Sequence, residues 1–362
     1  MIRILMVVHE MNRGGIENFI MNLYRAIDRS VIQFDFVAHT NKKCDFDDEI
    51  EKLGGNVYHS PDYRIVNHAS YCRWWKDFLT FHPEYKIVHS HLDSSANIHL
   101  RISKKCGLIT IAHSHSSSEG NGIRAVIKAL LKRNFNSCCD YKFACSKKAA
   151  EWLFGKEAYN ATIINNGIDS KKYIFDSIIR EQVKNELNIP KDEFVLGHVG
   201  RIDKNKNQEL IIRITKELND KGFNTKFISV GRGIELEKNK KLAIDLDIAD
   251  KVVFLGIRDD VYRLMQAFDV FVMPSIYEGL PVSAIEAQAS GLMCVLSDSI
   301  SSETDITGNV EFFSLDKSVK EWAKKISEMI PYDRKDTYER IKEAGYDIMT
   351  TAKQLTDFYL EL

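Results

Sequence analysis

The chain has little with which to staple itself. Its 7 cysteines form no C-x-x-C pair, are odd in number and are irregularly spaced, which excludes a disulfide framework and argues against a cysteine zinc site. Cys44, Cys72, Cys106, Cys138, Cys139, Cys145 and Cys294 read instead mostly as small buried hydrophobes, and reduced thiols fit a cytosolic setting. The 6 prolines and 19 glycines are scattered, so neither a low-complexity tract nor a solenoid repeat is present. No apolar run approaches the roughly 20 residues of a membrane span. Net charge is −1, so no global field recruits nucleic acid or anionic lipid, and any basic site must be local. The apolar start, Met1 to Val8, is too short for a secretory leader and reads as a first strand.

What is present is alternation. A 362-residue chain that is 44% hydrophobic and 28% charged is long enough for two globular domains. Short apolar runs occur at Ile2–Val8, Phe34–Ala38, Ile87–His89, Leu108–Ala112 and Lys142–Cys145. A second series follows at Phe194–Val199, Lys226–Val230, Val252–Leu255, Val270–Met273 and Cys294–Leu296. Amphipathic stretches such as Ile16–Ile27, Asn207–Lys221 and Val282–Ala289 lie between them. Continuous apolar strands separated by helices predict α/β domains, each a doubly wound parallel sheet covered on both faces. The turn Asn165-Asn166-Gly167 after Thr162–Ile164 marks the boundary. The predicted domains are residues 1–168 and 169–346, with a C-terminal helix at about 347–362 that could pack back on the first.

Ligands of open parallel sheets bind beyond the carboxyl ends of the strands, where this sequence concentrates its unusual residues. Gly14-Gly15 follow the first strand, His113 and His115 the Leu108–Ala112 run, and His89 and His91 end a neighbouring one. Arg201 and Lys206 follow Phe194–Val199, Gly231 follows Lys226–Val230, and Glu278 follows Val270–Met273. In Pro274-Ser275-Ile-Tyr-Glu278-Gly279-Leu280-Pro281 a buried strand ends and a helix starts near the proline, a residue suited to a first turn. The free amides and dipole of that turn form an anion site for which a diphosphate is a natural occupant. Glu278 in the loop and Glu286 within the helix can hold hydroxyls on two parts of one extended ligand. In Gly200-Arg201-Ile-Asp-Lys204-Asn-Lys206-Asn207, Arg201 and Lys206 can clamp a pyrophosphate and stabilise a leaving group's growing charge, while Lys204 reads as solvent-facing.

These segments resemble the retaining glycosyltransferases of family four, which have the GT-B architecture of two Rossmann-like domains facing a central cleft. The resemblance spans nearly the whole chain and is most specific in Gly200–Asn207 and Met273–Glu286. It implies that Glu278 contacts the donor sugar, that Glu286 binds the nucleotide ribose, and that Arg201 and Lys206 meet the donor phosphates. The Gly14-Gly15-Ile16-Glu17 loop would lie near those phosphates. Gly200, Gly231, Ser275, Gly279 and Leu280 would line the donor site, and the Phe254-Leu-Gly256-Ile257-Arg258 turn would read the base through its backbone at Ile257 and Arg258. A strand-end histidine would lie by the transferred sugar; His113 and His115 compete for that place, with His115 preferred.

The closest detail, A-H-S-H together with A-C-S-K-K-A-A-E-W-L-F-G at Ala144–Gly155, points to bacterial capsular or exopolysaccharide enzymes. The implied reaction moves a sugar, from UDP more commonly than GDP, to a hydroxyl of a lipid-linked oligosaccharide with retention. No cofactor and no metal are expected. The D-x-D pairs Asp45/Asp47 and Asp245/Asp247 read as surface acids rather than metal ligands. A basic face at Arg124, Lys128 and Lys132, with Arg133 beside it, lies in the helical stretch 122–136, which is either an ordinary domain helix or a peripheral contact with the inner face of the cell membrane. Two rivals share the pattern: a nucleotide-sugar 2-epimerase of the same fold, and a non-catalytic subunit of a polysaccharide complex. The second would be expected to have lost a phosphate cation or a glutamate, and this chain keeps Arg201, Lys206, Glu278 and Glu286.

Overall fold

The computed structural model describes residues 1–115, 129–329 and 332–362. The chain forms two compact units, 1–167 with 347–362, and 168–346.

In the first unit the described strands are β1 (Ile2–Val8), β2 (Ile32–Ala38), β3 (Val57–His59), β4 (Ile87–Ser90), β5 (Ile109–Ser114), β6 (Tyr141–Ala144) and β7 (Thr162–Ile163). They form one sheet in the order β3-β2-β1-β4-β5-β6-β7, parallel throughout. In the second unit β8 (Phe194–Val199), β9 (Thr225–Val230), β10 (Val252–Phe254), β11 (Val270–Met273), β12 (Met293–Ser297) and β13 (Val310–Phe313) run in the order β10-β9-β8-β11-β12-β13, again parallel. Both orders reverse direction once, between β1 and β4 and between β8 and β11. A crevice opens at such a reversal outside the carboxyl ends of the strands, the usual ligand position of this fold.

Central strands are apolar on both faces because helices cover both. All seven residues of β2 are buried, as are the last five of β1. One core of the first unit gathers Ile4, Met6, Phe34 and Phe36 beneath the helices Gly15–Ala26 and Ile348–Leu360. The C-terminal helix belongs to this unit because Ile348, Ala352, Leu355 and Tyr359 are its buried stripe. Before it, Tyr338–Glu343 is a separate helix, and the chain breaks between the two where Gly345 takes φ 79°. Asp347 restarts the chain by accepting a hydrogen bond from the Thr350 amide at 3.2 Å.

One surface assignment needs correction. Asp47 is buried, because its carboxylate accepts the Cys44 amide at 2.7 Å and sits in the first turn of the helix Asp47–Lys52. Asp45, Asp245 and Asp247 are exposed. All seven cysteines are free thiols; Cys106 alone is exposed and Cys72 partly so.

Candidate functional site

In the second unit the carboxyl ends of β8, β9 and β11 carry three loops that are tied together. Lys206 Nζ meets Glu278 Oε1 at 2.8 Å, and both side chains are largely covered, 13% and 16% exposed. Asn205 staples the same two loops. Its side-chain amide donates to Glu278 Oε1 at 3.1 Å and to the Tyr277 carbonyl at 2.8 Å. Its side-chain oxygen accepts the Tyr277 amide at 3.1 Å, and its backbone carbonyl accepts the Ile276 amide at 2.8 Å. Asn207 adds a bond to the Pro274 carbonyl from a left-handed backbone (φ 55°) that asparagine tolerates better than most residues. Glu278 is therefore aimed by the loop that carries Lys206, so a ligand group displacing one side chain is felt by the other.

Arg201 behaves differently. Its side chain is 82% exposed, 3.6 Å from Asp203, and free to swing onto an incoming anion. Beneath these loops His198 receives no charge: burial holds its ring down to about 4, with Nδ1 on the Val272 carbonyl at 2.8 Å and Nε2 against Gln208 at 3.1 Å. Gln208 also donates to the Arg201 carbonyl at 2.7 Å, fixing the base of the cationic loop.

Gly231 is required by both space and angle. Its φ is 135°, and a Cβ there would stand 2.0 Å from the Gly200 carbonyl oxygen. Its amide donates to Gly256 at 2.8 Å, which brings the turn bearing Ile257 and Arg258 alongside. Ile257 is exposed, whereas the Arg258 side chain is held in a fork with Asp260, 2.7 Å for each bond. Any contact from Arg258 to a base would thus come from backbone. Ser275 is fully buried, its carbonyl accepting from Ser297 and Ser299 and its hydroxyl without a partner among the described residues. Gly279 is exposed and Leu280 packs partly into the core.

Pro281 is the N-cap of the helix Val282–Ala289 rather than its first turn. Glu286 lies half-buried on that helix, beside Tyr173. Burial pushes its carboxyl up to about 7, and a hydrogen bond from Tyr173 pulls in the opposite direction. The tyrosine in turn is raised well above its ordinary range, by burial first and by Glu286 second. Tyr173 and Asn205 are the residues that motif reading missed. Neither lies in a charged or glycine-rich pattern; only their proximity in the folded unit marks them.

In the first unit Gly14 caps the helix Gly15–Ala26, and Glu17 folds back over it; a Cβ on Gly14 would stand 2.2 Å from Glu17 Oε2. Burial raises Glu17 to about 7. Phe19 of the same helix lies 6.0 Å from the His113 ring and 6.1 Å from His115, ring centre to ring centre. His113 is fully buried, while His115, the residue after the strand, is partly exposed. The helical stretch 122–136 lies outside the described residues up to position 128. Of its basic face, Lys132 rests over the Trp152 ring at 4.6 Å. Among the described residues no helix is long and apolar enough to cross a membrane.

Comparison with known proteins identifies the family. Residues 179–348 match the family Glycosyl transferases group 1, and residues 13–172 match Glycosyltransferase Family 4. The chain is 32% identical to the glycosyltransferase EpsF of Bacillus subtilis (strain 168), over 99% of this chain and 96% of that one. It is 27% identical to the Escherichia coli UDP-Gal:alpha-D-GlcNAc-diphosphoundecaprenol alpha-1,3-galactosyltransferase, over 59% of this chain and 58% of the relative. Its fold is that of Anabaena HepE crystallised with UDP and glucose, with a TM-score of 0.79, 19% identity and full coverage of both chains. With two doubly wound parallel sheets and these relatives, the chain belongs to the glycosyltransferases of family 4, with the GT-B architecture.

Proposed function

We propose that the enzyme transfers a sugar from a nucleoside-diphosphate sugar, UDP-linked, to a hydroxyl of a lipid-linked oligosaccharide, with retention of the anomeric configuration. The observation that carries this reading is the Lys206–Glu278 pair at 2.8 Å beside the start of the helix Val282–Ala289. A donor has a hydroxylated ring at one end of its pyrophosphate and a ribose at the other. Lys206, Arg201 and the helix-start amides suit the phosphates. Glu278 suits a sugar hydroxyl, and Glu286 suits the ribose. The E. coli relative is named for a UDP-Gal donor and a diphosphoundecaprenol acceptor, which supports both substrate classes.

Catalysis in this reading is mostly electrostatic. As the sugar–phosphate bond opens, negative charge grows on the departing diphosphate, and prepaid cations and amides lower the barrier there. In this reading two side-chain cations and a helix start neutralise that charge without a divalent ion. The leaving phosphate takes the acceptor proton, and the acceptor oxygen bonds to the anomeric carbon on the same face. With a lipid-linked acceptor, the enzyme works at the inner face of the cell membrane as a peripheral protein.

The test is a panel of UDP- and GDP-sugars scored by thermal shift, since a ligand that binds only the folded state raises apparent stability. The hit is then incubated with and without lipid-linked acceptor. Retained configuration at the new bond, and no conversion of the sugar without acceptor, fits the proposal. Isomerisation of the UDP-sugar alone would identify an epimerase instead.

A further inference from the structure

The first unit contains a cluster of four imidazoles where β4 and β5 end. β4 runs out through His89-Ser90-His91 and β5 through His113-Ser114-His115. Alternate residues of a strand share a face, and the register pairs Ser90 with Ala112, so the four rings collect on one side. Ring centres stand 4.2 Å apart for His113–His115, 4.5 Å for His89–His91, 5.1 Å for His91–His113 and 5.4 Å for His89–His113. Tyr359, Phe19 and Phe143 cover them. His89, His91 and His113 are buried.

The hydrogen bonds of this array are one-sided. His89 uses Nδ1 on the Tyr359 hydroxyl at 2.5 Å, and His91 uses Nδ1 on His115 Nε2 at 2.9 Å. Among the described residues, Nε2 of His89 and of His91 has no partner, and neither ring nitrogen of His113 closes a hydrogen bond, although the Ile164 backbone stands nearby. One ring nitrogen from each of the three lies within 4.8 Å of the other two. Buried polar atoms are rarely left unpaired, and each such atom asks for an explanation.

We propose that His89, His91 and His113 bind one divalent transition-metal ion of the zinc class. Three features favour such an ion over others. The donors are three buried imidazoles, and the neutral ring is the form that ligates. Magnesium and calcium want oxygen ligands, and among the described residues the set contains no carboxylate. Two of the rings already have the outer support that metal-bound histidine shows, with the far nitrogen held by a hydroxyl in His89 and by a second imidazole in His91. Metal–nitrogen bonds of about 2.0–2.1 Å require the three nitrogens to draw closer than they stand. Rotation of the near-parallel rings supplies this, because no hydrogen bond ties the facing nitrogens. A bound ion would pin the ends of β4 and β5 beneath the C-terminal helix through Tyr359.

The full chain, stripped with chelator, is dialysed against Zn2+ or Co2+ and analysed for metal content and visible absorption. The expected result is one ion per chain, tetrahedral Co2+ bands of nitrogen rather than thiolate ligation, and no competition from Mg2+. The double variant His89→Gln/His113→Gln should lose the ion, and Tyr359→Phe should weaken binding by about 10- to 100-fold. Absence of stoichiometric uptake by the unaltered chain overturns the proposal, as does full uptake by the double variant or loss of uptake in Cys106→Ser instead. If the double variant fails to fold, the Co2+ spectrum of the unaltered chain decides: nitrogen-ligated bands support the site, and their absence overturns it.

Discussion

The two units share a topology and differ in what they place at its functional end. Each sheet reverses strand order once, between β1 and β4 and between β8 and β11. At the second reversal stand ions: Lys206 with Glu278, an exposed Arg201, and hydrogen-bonded loops that hold them. At the first stand neutral rings, His89, His91, His113 and His115, stacked under aromatic cover. The fold therefore supplies a place but not a ligand. Fixed charge with movable counter-charge suits a pyrophosphate; stacked uncharged imidazoles do not.

Removing the ions should break this contrast most severely. Lys206→Ala should lower turnover by about 10²- to 10³-fold, the usual loss when one donor to a developing charge is deleted, measured as sugar transfer under saturating donor. Acid should act next, and on the opposite unit. Burial holds His39 down to about 3 and His99 well below its ordinary range in the first unit, against His198 at about 4 in the second. Folded values lie below the unfolded 6.5, so this stability is complete above pH 6.5 and is lost as pH falls toward the folded values. Each ring costs about tenfold in the folding constant per pH unit there. Hydrogen exchange at pH 7 and pH 5.5 on the ion-free chain should show the first unit losing more protection; equal loss would contradict the comparison.

Two smaller effects sharpen the donor side. Glu286 sits at about 7. If its carboxylate holds ribose hydroxyls, donor affinity should rise by about tenfold between pH 6 and pH 8, and Glu286→Gln should bind weakly with no such slope. Asn205→Ala removes the staple on Glu278 without touching a charge. Transfer should fall by about tenfold or less, the worth of one or two net hydrogen bonds. The loss should lie mainly in kcat if Glu278 must be aimed, and Asn205→Asp should not rescue it.

The sequence was most readable where burial is most complete. β8 and β11 coincide with their apolar runs, residue for residue, because both lie inside a sheet covered on both faces. β3 and β13 left no such run: they are edge strands with one neighbour each and no fully buried residue, so nothing forces continuous apolarity. The candidate site divides the same way. Glycines and charges in loops after strands are visible as patterns, and Gly231 shows why, since only its missing Cβ clears Gly200. Asn205 and Tyr173 carry no pattern, because their contribution is a contact across 73 residues in one case and 113 in the other. The pairs His89/His91 and His113/His115 were legible as strand-end histidines, but the array was not, since strand register decides it.

The most direct test titrates UDP and the matching UDP-sugar into the unaltered protein, Lys206→Ala and Glu278→Ala by calorimetry. If Lys206 grips phosphate and Glu278 grips sugar, the lysine variant weakens both ligands while the glutamate variant weakens only the UDP-sugar. Unchanged UDP affinity in Lys206→Ala, or equal losses for both ligands in Glu278→Ala, would contradict that division of labour.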